Sequence, residues 1–214
     1  MTAIQLKSVI APAVATKVSD EVRLERAVMV ADLEASTQWI HTMGDDRAWR
    51  HLRPWYLRVM NLIHAQGGHA YRHTGDGFHA AFETVAESVE CAIAIQSLTH
   101  HWHRQLHFPR LRIGLAFGQC RRMRLHDAVD YFGGTIALAA RLSEVASGGN
   151  VAMPMSLADD ALRFNGTFDF HKRFALRRFP RPIDICVYQL EGERLGASLS
   201  DRPRSSVGQI PHVA

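Results

Sequence analysis

Apolar residues along this chain fall into runs of two kinds. Residues 26–33, "RAVMVADL", form a short continuous run with β-branched members, which predicts a buried central strand. "DDRAWRHLRPWYLRVMNLIHAQGG" instead repeats apolar residues at helical spacing through Trp49, Leu52, Tyr56, Val59, Met60 and Ile63. Gly67-Gly68 stops that helix, and Pro54 inside it predicts a kink or a fresh start. "YRHTGDGFHAAF" then reads as a tight hairpin turning at Gly75-Asp76-Gly77. A second amphipathic helix, "VAESVECAIAIQSLTHHWH", leads to a further strand, "RLRIGLAFGQC". After a loop comes a third helix, "GTIALAARLSEVAS", ended by Gly148-Gly149. "NVAMP", "FDFHKRFAL" and "DICVYQL" supply closing strands. Strand, helix, hairpin, helix, strand is the order of an α+β, ferredoxin-like βαββαβ sandwich, here with extra C-terminal strands.

The 214 residues, 47% of them hydrophobic, suffice for one ordinary domain. The reading places that domain at residues 21–193, after an N-terminal arm of residues 1–20 and before a Ser-, Pro- and Gly-rich tail of residues 194–214 that reads as disordered. The first residues are mildly apolar, but Pro12 and a weakly positive start fit an arm better than a signal peptide. The longest apolar runs fall short of the roughly eighteen residues of a membrane span. Formal charge is +4, with Arg and Lys spread along the chain and no basic, aromatic-interleaved stripe for nucleic acid. Cys91, Cys120 and Cys186 form neither a CxxC pair nor an even-numbered framework, which suits a reducing, cytoplasmic setting.

The candidate chemistry lies in two carboxylates. In the ferredoxin-like order the first strand and the hairpin are sheet neighbours, so Asp32 at the strand's end approaches Asp76 at the hairpin tip. Two such carboxylates repel unless a cation sits between them, and hard oxygen ligands favour Mg²⁺ or Mn²⁺ carrying substrate phosphates. The "LEAST" that follows Asp32 is a turn into a helix, whose free N–H groups at Leu33, Ser36 and Thr37 suit phosphate oxygens. Other features carry less. His100, His101, His103 and His107 lack a clean i, i+4 pair backed by a carboxylate. Trp55 and Tyr56 could stack on a base, although helical spacing makes Tyr56 a core residue first. Ser36 and His73 lack the third member and the elbow of a hydrolase triad.

These blocks together resemble the class III adenylate/guanylate cyclase catalytic domain. The resemblance runs through "MVADLEAST", "HTGDGFHAAF", "AIAIQ", "LRIGLAFG", "DYFGGTIALAARLSEVASGGNV" and "RRFPRPIDICVYQL". It implies a head-to-tail homodimer whose two sites are composite and whose substrate is a nucleoside triphosphate. It matches Asp32 and Asp76 to the ligands of two divalent ions, Mn²⁺ or Mg²⁺. Arg72 and Asp130 match the pair that reads the base from the partner subunit, and Arg141 matches the arginine that stabilises the transition state. Arg121, Arg122 and residues 172–181 are further candidates for phosphate. Two departures stand out. Ala137 replaces the Asn expected four residues before Arg141, and Arg72 replaces the Lys of adenylate-forming or the Glu of guanylate-forming members. Arg is a pure donor, longer than Lys and planar at its tip, which disfavours guanine and leaves room for a smaller ring. That tilts the expectation toward UTP or CTP, with ATP as the alternative and a non-catalytic nucleotide-binding module as a third reading motivated by Ala137. The short stand-alone form is similar to the bacterial pyrimidine cyclases of antiphage systems, whose product switches on a separate effector.

Overall fold

The computed structural model describes residues 19–125, 128–161, 167–174 and 182–189. Most of the arm, most of the stretch 172–181 and the tail lie outside those residues. The described residues build one eight-stranded sheet covered by helices on both faces. In chain order the elements are β1 (Ser19–Leu33), α1 (Ser36–Met43), α2 (Asp45–Ala65), β2 (His69–His73) and β3 (Gly77–Phe82). There follow α3 (Val85–Leu106), β4 (Leu111–Leu125), β5 (Ala128–Phe132) and α4 (Gly134–Val145). The chain continues through β6 (Asn150–Pro154), a 3₁₀ turn, the one-turn α5 (Ala158–Ala161), β7 (Thr167–Phe174) and β8 (Ile183–Gln189). The strand order β2-β3-β1-β4-β6-β8-β7 opens with the ferredoxin-like arrangement and appends the C-terminal strands, as the element order implied.

Alternation along β1 divides the core. Met29, Ala31 and Leu33 point to the face covered by α2 and α3, whereas Val28 and Val30 point to the face where α4 packs. Apolar residues on both sides explain why "RAVMVADL" is a continuous run: the strand is central and doubly covered. A capping box starts α3, with Thr84 Oγ1 accepting from the Glu87 amide and the Glu87 carboxylate accepting from the Thr84 amide. The buried Gln96 side chain donates to the carbonyls of Leu111 and Asn150, fastening α3 to β4 and to the start of β6.

Three expectations need correction. First, β1 starts seven residues before Arg26, because its outer half pairs with the outer half of β4. Second, the loop expected after β4 contains a strand: β5 folds back on β4, placing Asp130 opposite Met123. Third, the buried stripe of α2 is Ala48, Leu52, Trp55, Val59 and Ile63, so Trp49 is 56% exposed and Tyr56 only partly covered. Trp55 is fully buried and its indole donates to Thr99 Oγ1 at 3.1 Å, which removes it as a base-stacking surface. The helix runs through Pro54 unbroken; the break lies earlier, at Gly44, where φ is 84°.

Helix α4 packs closely against β4. A Cβ on Gly114 would lie 2.1 Å from the Ala139 carbonyl oxygen and 2.3 Å from the Ser143 amide nitrogen. Backbone atoms cannot swing aside as a side-chain tip can, so Gly114→Ala must lift the helix off the sheet. The expected cost is about 3 kcal/mol, which for a domain of this size lowers Tm by roughly 6–12 °C in a thermal melt.

Candidate active site

The site is built on the α4 face of the sheet, at the end where β1 stops. Asp32 pairs in register with Gly77 of β3 on one side and with Arg112 of β4 on the other. The hairpin turn therefore docks against the last residues of β1, and the Leu33 amide donates to the Asp76 carbonyl at 3.3 Å. Both glycines of "GDG" have a reason. Gly75 has φ of 94°, a region unfavourable for residues with a side chain, while a Cβ on Gly77 would meet the Ala31 carbonyl oxygen at 2.3 Å. The two carboxylates expected to meet are thus brought to adjacent positions by strand pairing.

Each is held. Ser36 Oγ donates to Asp76 Oδ2, and the Arg112 guanidinium pairs with Asp32 Oδ2. Tyr56 Oη donates to the Gly75 carbonyl at 2.6 Å, bracing the turn from α2. Burial, then Asp76 and Asp32, push the Tyr56 phenol up to about 12, so it stays a donor throughout the neutral range. Of the three residues expected to offer amides to phosphate, Leu33 has spent its N–H on Asp76 and its side chain is in the core. Ser36 and Thr37 open α1, where first-turn amides have no intrahelical acceptor. Arg112 escaped the sequence reading. It became legible only through the register that sets it opposite Asp32.

Two residues along from Asp32, on the same face, lies the second cluster. Val30 pairs with His79, and His79 pairs with Arg72 across the hairpin. That places Arg72 roughly 7 Å along the strand direction from the Asp32 rung. A register shift between Ala70 and Arg72 makes Tyr71 an extra residue, a β-bulge that re-aims the side chain after it. Arg72 pairs with Asp130 Oδ2, while Asp130 Oδ1 accepts from the Tyr131 amide at 2.8 Å. The two residues matched to base reading therefore form one unit within a single chain. Arg141 sits on α4, one turn after the exposed Ala137, and binds Glu144 through both carboxylate oxygens, at 2.6 Å to Oε2. Arg121 is elsewhere. It pairs with Glu21 at the opposite end of β1, and Arg122 lies opposite Val22 there.

Of the set-aside features, Ser36 and Tyr56 join the site only as hydrogen-bond donors to the hairpin turn, and the structural histidine stays apart. His103 Nδ1 donates to the Phe108 carbonyl at 2.6 Å and its Nε2 accepts from Arg110 at 3.2 Å, so the ring is used structurally. Among the described residues no three His, Cys, Asp or Glu side chains converge as a metal cage, and no helix is long and apolar enough to cross a membrane. The Ser36 hydroxyl is turned to Asp76 while the His73 ring packs on Tyr56, 5.4 Å between centroids.

Known proteins share this architecture. No protein-family model matches the chain. The adenylyl cyclase CyaB from P. aeruginosa superposes with a TM-score of 0.70 at 18% identity, covering 83% of this chain and 100% of that one. The guanylyl cyclase Cya2 superposes with a TM-score of 0.70 at 16% identity, covering 84% of this chain and 98% of that one. In sequence, an adenylate cyclase of Streptomyces coelicolor is 28% identical over 146 residues, 67% of this chain and 36% of the relative. An uncharacterized protein of Mycobacterium tuberculosis is 32% identical over 162 residues, 72% of this chain and 52% of the relative. The chain thus spans about a third to a half of the length of these curated relatives. Strand order and the structural matches agree: the fold is that of the class III adenylate/guanylate cyclase catalytic domain.

Proposed function

We propose that the chain is a nucleotidyl cyclase that converts a nucleoside triphosphate to its 3′,5′-cyclic monophosphate and pyrophosphate, with UTP or CTP preferred. The observation that carries the reading is the juxtaposition of Asp32 and Asp76 at the end of one sheet face, with Arg112 already neutralising one of them. The donor set fits two Mg²⁺ or Mn²⁺ ions: carboxylates at the end of β1 and in the adjacent hairpin turn, partly exposed, with too few further ligands among the described residues to close a cage, so that substrate phosphates complete the shell. When bound, such ions neutralise the triphosphate and acidify the ribose 3′-hydroxyl.

The chain's own residues supply the rest. The first-turn amides of α1 at Ser36 and Thr37 face the anionic end of the substrate. Arg112, once relieved of Asp32, offers its planar fork to a phosphate. Arg72 and Asp130 present donors and an acceptor to the base edge, a pattern that suits a carbonyl and the neighbouring N–H of uracil. Arg141 stabilises the charge that develops on the transferring phosphorus group. By the resemblance to the cyclase domain, the working form is a head-to-tail homodimer in which each site takes Asp32 and Asp76 from one subunit and Arg72, Asp130 and Arg141 from its partner. The cyclic product acts on a separate effector, following the likeness to antiphage pyrimidine cyclases. A second reading, ATP as substrate, is favoured by the Streptomyces relative's name. Ala137 favours a third, non-catalytic one, because its methyl group cannot orient a ribose.

Incubation of the protein with each of the four NTPs and Mn²⁺, with product mass read by spectrometry, tests the reading. Cyclic UMP or cyclic CMP should form at a kcat/KM about ten-fold or more above that for ATP, and Arg72→Lys should narrow the gap. An ATP preference indifferent to residue 72 contradicts the pyrimidine assignment.

Asp32→Ala and Asp76→Ala should each abolish turnover while changing stability by no more than about 1 kcal/mol, since both side chains are partly exposed. Mixing inactive Asp32→Ala with inactive Arg141→Ala should then restore activity through one intact site per mixed dimer. Silence after proven subunit exchange would sink the composite site.

A further inference from the structure

Four buried side-chain polar atoms among the described residues lack a hydrogen-bond partner: Trp39 Nε1, Tyr71 Oη, His79 Nδ1 and Arg112 Nε. Folded proteins rarely leave such atoms unpaired, and each one asks for an explanation. Arg112 belongs to the carboxylate cluster. Tyr71 and His79 occur together, their rings perpendicular at 85° with centroids 5.8 Å apart. Both lie beside the Arg72–Asp130 pair, for His79 is the register partner of Arg72 and Tyr71 is the bulged residue next to it. Tyr131 closes the group, 4.8 Å from the Tyr71 ring.

The protonation states of the two rings are fixed by their surroundings. Burial raises the Tyr71 phenol above its usual range, so Oη keeps its proton and can donate or accept. Burial, and after it the Arg72 guanidinium, pull the His79 imidazole below its ordinary value, with Asp130 opposing. His79 is therefore neutral at neutral pH, with one ring nitrogen protonated and the other free to accept. Two uncharged groups with unused hydrogen-bonding capacity thus stand against a charged pair, at the place matched to base recognition.

We propose that Tyr71 and His79 are specificity-determining residues that hydrogen-bond the nucleobase once its edge has drawn Arg72 and Asp130 apart, an assignment that rests on the nucleotide reading above. A pyrimidine fits this set. If Arg72 takes one carbonyl of uracil and Asp130 its N–H, the second carbonyl remains for the Tyr71 phenol and its His79 neighbour. A base without a second carbonyl leaves the phenol as unpaired as before, and discrimination follows from that difference.

The test uses Tyr71→Phe, which removes only Oη, and His79→Leu, which removes both ring nitrogens. Tm without nucleotide and steady-state kinetics with all four NTPs are measured for each. Loss of an unpaired buried atom should leave the nucleotide-free Tm at or above that of the wild type. KM for the preferred NTP should rise about ten-fold with a smaller change in kcat, and the preference among bases should shrink. A purely structural role predicts the reverse, a lowered Tm with kcat/KM falling in parallel for every NTP, and that result overturns the assignment. So does an unchanged base ranking in both variants when the wild type cyclises. If His79→Leu does not fold, Tyr71→Phe decides alone. A wild type that neither cyclises nor is thermally stabilised by any of the four NTPs overturns the nucleotide reading itself, and this assignment with it.

Discussion

The seating of the "GDG" turn against the end of β1 is the contact on which the rest of the site depends. Gly77 can pair with Asp32 only because no side chain stands between it and the Ala31 carbonyl. Gly75 supplies the backbone angle that closes the turn, and Tyr56 pins its carbonyl from α2. Given that seating, the Leu33 amide reaches the Asp76 carbonyl, and Ser36 at the start of α1 reaches the Asp76 carboxylate. A bulkier residue at position 77 would disturb both at once. The geometry of the carboxylates is therefore a property of backbone packing rather than of the two aspartates.

Electrostatics along this face follows from strand pairing. Two carboxylates on adjacent rungs would repel, and Arg112 on the neighbouring strand offsets part of that repulsion in the nucleotide-free chain. Two residues further along, Arg72 and Asp130 neutralise each other in the same way. Both pairs are partly exposed, so neither contributes much to stability, and both are available for exchange with a charged substrate. The face rests against α4 only over β4 and its neighbours, whose close packing at Gly114 leaves little freedom to that helix. Rigid elements thus present both pairs.

Much of this was legible in the order of hydrophobic runs. The doubly covered β1, the hairpin with Asp76 at its tip and the three main helices follow from periodicity and glycine punctuation, and the ferredoxin-like strand order follows from theirs. What escaped had physical reasons. The phase of α2 was hidden because its buried stripe opens on Ala48, a small residue that carries less weight than the exposed Trp49 beside it. The residues between β4 and β5 include no glycine or proline to punctuate the sequence, so an Arg-rich strand pair read as loop. Arg112 and the Tyr71 bulge depend on which residue faces which across a sheet, and register is a tertiary fact. Asp130 is singled out by resemblance alone, and its ion pair with Arg72 depends on the fold.

The central claim is that Asp32 and Asp76 together hold divalent cations against a nucleoside triphosphate. Crystals grown with Mn²⁺ and a non-cyclisable UTP analogue, with anomalous scattering measured near the manganese edge, test it most directly. The account predicts anomalous peaks within bonding distance of both carboxylates, Arg112 released from Asp32, and the triphosphate against the start of α1. Bound nucleotide with no peak at either aspartate, or manganese held elsewhere on the chain, would contradict it.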